Sequence, residues 1–361
     1  MTQPTTSEVL HWQTINGLLH PTRPKNQALV GFDHEFVDIA DFILRITHRI
    51  WEQKNIGLCY DYYEDHCPVH TLGAYCDSVE TVVQNTLRTI ASFPDRSLIG
   101  ENVIWSEEPD EVYYSSHRIT SIMTNQGPSE FGPPTYKTGR VTTIADCLCK
   151  DNKIYYEWLM RDNSFLVKQL GIDPVDAAMF QAQQQPGQIF NHWLKSEYQR
   201  TRDGQAMACD TRNTDTQWAE FADGWAEQIF NHKCLNRLSD FYHPCAQVQW
   251  PGGRQATGLA AISGLLTQWL ATCPDARMVI DHIAVVPFDE NRSHVALRWG
   301  VSGSYQARDS RLKACNGHPY YVLGATHFEL SDGQILQEWT VFDEVAAIAN
   351  LLRHQSKRSE D

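Results

Sequence analysis

The chain has 361 residues, of which 42% are hydrophobic and 20% charged, and a net charge of −14. That length holds two or three domains at about 150 residues each, and the composition excludes a disordered chain. Lys and Arg are scattered rather than gathered into a stripe, which excludes a nucleic-acid or anionic-membrane surface. No stretch approaches the roughly 20 apolar residues of a membrane span. Met1 to Thr14 lack the charged start and apolar run of a secretory signal. The ten cysteines contain no C-x-x-C pair and read as reduced thiols, with Cys147 and Cys149 on one strand face. These features indicate an acidic cytoplasmic protein.

After an arm over residues 1–30, Phe36, Ile39, Ile43, Ile46 and Ile50 recur at helical spacing. A second helix carries Val79, Val82, Val83, Leu87 and Ile90, and Pro94 stops it. Strand-like runs follow, the last two joined at Asp151-Asn152, where both residues tolerate positive φ. A Gln-rich connector over 172–214 has one helical patch, around Ile189 to Tyr198. The helical pattern then returns with Trp218, Phe221, Ala222, Trp225 and Ile229. It returns again with Leu259, Ile262, Leu266, Trp269 and Leu270, stopped by Pro274. Strands are predicted over 278–286, 294–302, 320–330 and 335–342, the last pair joined by the hairpin signal Asp332-Gly333. A polar tail closes the chain over 355–361.

The second half repeats the first. Asp61-Tyr62-Tyr63 matches Asp240-Phe241-Tyr242, Pro94-Asp95 matches Pro274-Asp275, and Glu157-Trp158 with Asp162 matches Glu338-Trp339 with Asp343, each at a separation of about 180 residues. Helices followed by a meander of strands give an α+β class. The expected architecture is two tandem cone-shaped modules, 31–171 and 215–354, each with helices packed on a curved, mainly antiparallel sheet. The copies are expected to meet as an intramolecular pseudo-dimer, sheet against sheet, with a homodimer left open.

The second copy resembles the SnoaL-like polyketide cyclase group of the nuclear transport factor 2-like superfamily. The resemblance rests on Pro274-Asp275, Val295-Ala296-Leu297-Arg298-Trp299 with Gly303, and Asp332-Gly333-Gln334-Ile335-Leu336-Gln337-Glu338-Trp339 with Asp343. The first copy carries a more divergent form in Ser116-His117-Arg118, Phe131-Gly132-Pro133-Pro134 and Glu157-Trp158-Leu159-Met160-Arg161-Asp162-Asn163. In cyclase members an Asp at the end of the last strand acts as acid/base in an intramolecular aldol closure. The resemblance puts that role on Asp343 and Asp162 and implies no metal and no organic cofactor.

Strand alternation gives a separate argument. Trp339, Val341 and Asp343 share one face, as do Trp158, Met160 and Asp162, so each Asp ends a mainly apolar face. Inside a closed cone, burial would raise its proton affinity into a useful range; otherwise it caps the segment that follows. With Asp332-Gly333 as a two-residue turn, His327 pairs with Glu338 and Asp146 with Glu157. That leaves His327 on the opposite sheet face from Asp343, unless a β-bulge shifts the register. Arg298 and Arg118 are candidate clamps for a ligand oxygen or partners in structural ion pairs. Tyr242 and Tyr63 could donate to a ligand, while Trp299, Trp339, Trp158 and His117 are candidate walls. His66 and His70 have a metal-like spacing without a third ligand, and Gly127 to Pro134 is a candidate lid.

The expected function is a cofactor-independent enzyme using an Asp acid/base on a small oxygenated, largely apolar substrate, by cyclisation, isomerisation or dehydration. The rival is a non-catalytic small-molecule-binding or scaffold protein, and a third reading makes one cone active and the other structural. An open cavity with a carboxyl at its wall marks an enzyme; a cone plugged by its own aromatics marks a scaffold. The resemblance slightly favours the second cone as the working one.

Overall fold

The computed structural model describes residues 17, 20–22, 24–207 and 216–358. Much of the expected N-terminal arm, the end of the connector with Cys209, and the last residues of the polar tail lie outside the described residues.

In the first module α1 (Ile39–Thr47) is capped by Asp38, whose carboxylate accepts the Asp41 N–H, and it runs on into a wider π turn, His48–Glu52. Strands β1 (Val69–His70) and β2 (Tyr75–Cys76) precede α2 (Val79–Ser92), which Ser78 caps at the Thr81 N–H. Then come β3 (Ser97–Glu108), β4 (Val112–Thr124), β5 (Thr138–Lys150) and β6 (Lys153–Arg161). Three helices link the modules: α3 (Asn163–Gln169), α4 (Pro174–Ala182) and α5 (Gln188–Arg202). The second module runs α6 (Thr216–Trp225) with its own π turn (Ala226–Asn231), then β7 (Tyr242–Trp250), β8 (Arg254–Thr257) and α7 (Leu259–Leu270). It ends with β9 (Arg277–Pro287), β10 (Arg292–Ser304), β11 (Pro319–Ser331), β12 (Gln334–Phe342) and α8 (Glu344–Arg358).

Two six-stranded sheets result, with orders β2-β1-β6-β5-β4-β3 and β8-β7-β12-β11-β10-β9. The second order repeats the first strand for strand. Among the described strands only β1–β6 and β7–β12 pair in parallel; the other pairs are antiparallel. Both hairpin turns have positive φ at both central residues, 48° and 69° at Asp151-Asn152 and 51° and 78° at Asp332-Gly333.

The sheets pack face to face, and one apolar cluster runs across the seam from Ile104, Ile144, Trp158 and Met160 to Val301, Val322 and Ala325. Two matching cation–π contacts tie it. The Arg298 guanidinium lies 3.5 Å over the Trp158 ring, and that of Arg118 lies 3.6 Å over the Trp339 ring. Among the described residues no helix is long and apolar enough to cross a membrane.

The structure departs from the sequence reading in two ways. The connector holds a second helix, α4, which starts with Pro174 at its first position and Asp173 as its cap; this Asp-Pro signal was present in the chain. Each β-hairpin also carries a bulge, between Leu148 and Cys149 and between Glu329 and Leu330. The extra residue shifts the register by one, so Asp146 pairs with Trp158 rather than Glu157, and His327 with Trp339 rather than Glu338. A one-residue shift exchanges the two faces of a strand. Glu157 and Glu338 therefore turn into the cones, while Trp158 and Trp339 turn into the seam.

Candidate functional site: the cone of the first module

The two cones differ in what fills them. In the second, Trp269, Trp250 and Phe342 meet edge to face or tilted at 5.6–6.0 Å, and Trp299 and Phe342 meet at 6.0 Å. The Trp299 ring sits on Gly324, where a Cβ would fall 2.2 Å from it, so only glycine admits the plug. Glu338 lies among these rings with its carboxylate fully engaged. Tyr242 donates to it at 2.7 Å, the Trp250 indole N–H at 2.6 Å and Thr340 at 2.7 Å. Such a saturated, fully buried acid is structural.

The first cone encloses a cavity of about 1050 Å³, at the upper end of small-molecule sites. The repeat explains the space. Ile119 follows Arg118 as Trp299 follows Arg298; Arg161 stands four residues after Glu157 as Phe342 does after Glu338; Thr89 precedes Pro94 by the interval at which Trp269 precedes Pro274. Three large rings are replaced by Thr89, Ile119 and Arg161, and all three line the cavity. Converting the wall back, with Ile119→Trp and with Thr143→Gly to admit the ring, is expected to remove small-molecule binding while the protein stays folded. Calorimetric titration beside a thermal melt checks this, and undiminished binding in the folded variant would refute the assignment of the cavity.

Several carboxyl groups face the hollow. Glu157 accepts from the Tyr63 hydroxyl at 3.1 Å, and burial pushes its proton affinity up to about 7 against the lowering effects of Tyr63 and Arg161. Asp343 is pushed up to about 7 by burial, aided by the nearby Glu130 and opposed by hydrogen bonds from Ala346 N–H and Asn163. Glu130, exposed on the cavity wall, accepts from Gln181 at 3.2 Å. His117, 2% exposed, is held neutral because burial pushes it down to about 3, and its Nε2 has no hydrogen-bond partner. Among the described residues no group of three or more His, Cys, Asp or Glu is placed to hold a metal.

Residues 220–351 match the family model described as SnoaL-like polyketide cyclase. The second module is SnoaL-like. No curated protein matches the chain. Among solved structures, IdmH from Streptomyces antibioticus is 17% identical, with a TM-score of 0.32, over 37% of this chain and 98% of its own. A SnoaL-like polyketide cyclase from Agrobacterium tumefaciens strain C58 is 19% identical, with a TM-score of 0.30, over 37% of this chain and 97% of its own. The residues matched by the family model thus cover the SnoaL-like module, whose cone is filled, and leave out the module with the cavity.

Of the residues singled out in the sequence, Tyr63 and His117 line the cavity of the first module, and Asp343 reaches that same cavity from the SnoaL-like module. Asp162 does not enter a cone. It caps α3 at the Phe165 N–H and accepts the Gly252 N–H of the SnoaL-like module at 2.7 Å. Both aspartates thus turn towards the opposite module, because the bulges put the faces they continue in the seam. Tyr242 and Trp299 fill the SnoaL-like cone.

Arg298, Arg118, Trp158, Trp339 and His327 belong to the seam rather than to a ligand wall. Arg298 lies 3.7 Å from Asp146, which accepts from Tyr114 and from Ser116 at 2.6 Å; Arg118 lies 3.3 Å from Glu101. The bulge does shift His327, but onto Ser116 of the other sheet at 2.8 Å, and burial pushes its proton affinity well down. His70 meets Tyr156 at 2.7 Å, while His66 is exposed. Part of the Gly127 to Pro134 segment lines the cavity, with Ser92 donating to the Pro128 carbonyl and Phe131 buried.

Sequence reasoning missed Glu157, Glu130 and Arg96 as cavity residues. The first was visible as half of the repeated Glu-Trp pair but was placed on the wrong face by strict alternation.

Proposed function

We propose that the chain is a cofactor-independent acid/base enzyme acting on a small oxygenated, largely apolar molecule, with its reaction site in the first cone. The SnoaL-like module serves chiefly as structural partner. The observation that carries this reading is the contrast between the cones: one filled and its acid saturated, the other hollow with two carboxyls balanced near neutral pH. A carboxyl with proton affinity near the working pH both takes and returns a proton, which suits abstraction next to a carbonyl. Cyclisation, isomerisation and dehydration all need such a step, and the family of the SnoaL-like module puts cyclisation first. Tyr63 and neutral His117 are suited to hold a substrate oxygen, and Ile119, Leu159 and Ile43 to hold its apolar body.

In this reading Asp343 of the second module completes the site of the first. Isosteric replacement tests it, after native mass spectrometry of the purified full chain has identified the retained ligand. Asp343→Asn is expected to lower turnover by roughly 10²–10⁴ without loss of fold. Asp162→Asn, which lies outside the first cone and whose amide oxygen can still accept the Phe165 N–H, should leave turnover within a few-fold and stability little changed. Equal turnover in the Asp343 variant and the parent would remove Asp343 from the mechanism, and loss in the Asp162 variant alone would move the site to the seam.

A further inference from the structure

Away from Glu157 and Tyr63, the cavity ends among groups that suit an anion. On β4, β5 and β6, Ile119, Thr143 and Arg161 stand in one cross-strand row on the cavity face. The Arg161 side chain makes no hydrogen bond or ion pair among the described residues, although its charge acts on Glu157, Glu130 and Asp343. Each of those carboxyls has its own donor, in Tyr63, Gln181 and Asn163, so none depends on Arg161 for satisfaction. Thr143, 3% exposed, has a hydroxyl with no partner. Lining the same hollow, the Arg96 side chain bonds only the Ser121 hydroxyl among the described residues, through Nε at 3.2 Å and Nη2 at 3.1 Å. Burial first, and then the like charge of Arg161, push Arg96 down to about 10. Glu52, whose charge acts on Arg96, also accepts the Leu98 N–H. Two guanidiniums facing one hollow across an unsatisfied hydroxyl repel one another unless something negative lies between them.

We infer that Arg96, Thr143 and Arg161 form a carboxylate subsite, so that the ligand is an amphipathic organic acid. Its carboxylate lies over Thr143 between the two guanidiniums, and its apolar body runs past Ile119 and Leu159. Its oxygenated end reaches Glu157, four residues or about 13 Å back along β6 from Arg161. Arginine forks suit this task because each presents paired N–H donors to a carboxylate. The inference rests on the first cone being the ligand site and adds the charge and the orientation of what it holds.

The test titrates the full chain with 2-naphthoate, and with 2-naphthol as the neutral probe of similar shape, at slightly acidic pH. Naphthoate is expected to bind at least about tenfold more tightly than naphthol. Arg161→Met and Arg96→Met should each weaken naphthoate binding by roughly ten- to hundredfold and leave naphthol binding unchanged, while Arg161→Lys retains most of it. Thermal melts confirm that the variants are folded. Naphthol binding as tightly as naphthoate to the unaltered chain would overturn the subsite while leaving the cavity reading intact. Equal naphthoate affinity in both folded methionine variants would overturn it in the same way. Binding of neither probe would overturn the subsite and the cavity reading together.

Discussion

Replacing Glu157 by Gln is expected to abolish most turnover and, at the same time, to stabilise the folded chain at and above neutral pH. The rate loss should be roughly 10²–10⁴, the usual share of a positioned general acid or base. Gln keeps the size of the side chain and can still accept from Tyr63, so binding of the ligand should change little. The stability effect follows from where the carboxyl titrates. In the unfolded chain it releases its proton near 4.5, and in the fold near 7, because burial penalises the charged form. Between those values the folded state holds a proton that the unfolded state has released. Stability therefore falls as pH rises through this window, and the loss is complete above about 7. At full ionisation this one group costs on the order of 3 kcal/mol. The Gln variant lacks this titration, so its melting temperature should match the parent near the lower limit and exceed it increasingly towards neutral pH. Asp343 titrates in the parent and the variant alike, and cancels from the difference. A constant difference across the whole range would mean that Glu157 is not held protonated by burial.

Trp299→Ala tests the opposite role for the other cone. Trp299 is 1% exposed, its indole N–H donates to Thr326 at 3.0 Å, and its ring is seated on Gly324 against Phe342. Removing it opens a hole that the surrounding rings and the sheet cannot fully close, at a cost of about 3–5 kcal/mol. Urea unfolding should show the loss as a lower midpoint. The ligand affinity of the first cone, measured under native conditions, should stay within a few-fold, since Trp299 faces the interior of the second. A variant as stable as the parent, or one that loses the ligand, would contradict the division into a structural and a working cone.

Much of this was legible in the chain. The two Asx-containing hairpin turns, the helices ending at Pro94 and Pro274, and the repeat at about 180 residues follow from local chemistry and internal comparison. So does the contrast between the cones, in retrospect: Thr89, Ile119 and Arg161 against Trp269, Trp299 and Phe342 is a difference in side-chain volume along matched positions. The helix α4 was equally present in Asp173-Pro174, but its apolar face is short and gains its meaning only from Val345 and Ala349 of α8, which pack with it.

What the sequence by itself determined was therefore the repeat, the elements and the material of each wall. Tertiary structure decided which way that material points. A bulge adds one residue to a strand without any mark in the composition, and because side chains alternate with a period of two, the extra residue exchanges core for seam. That is why Glu157 faces a cavity, and why Trp158 and Trp339 receive Arg298 and Arg118 instead of a ligand. Tertiary structure also decided that Asp343, at the end of the second sheet, completes the cavity of the first. The docking of two modules through a common apolar seam brings together residues far apart in the chain, and no local pattern records it.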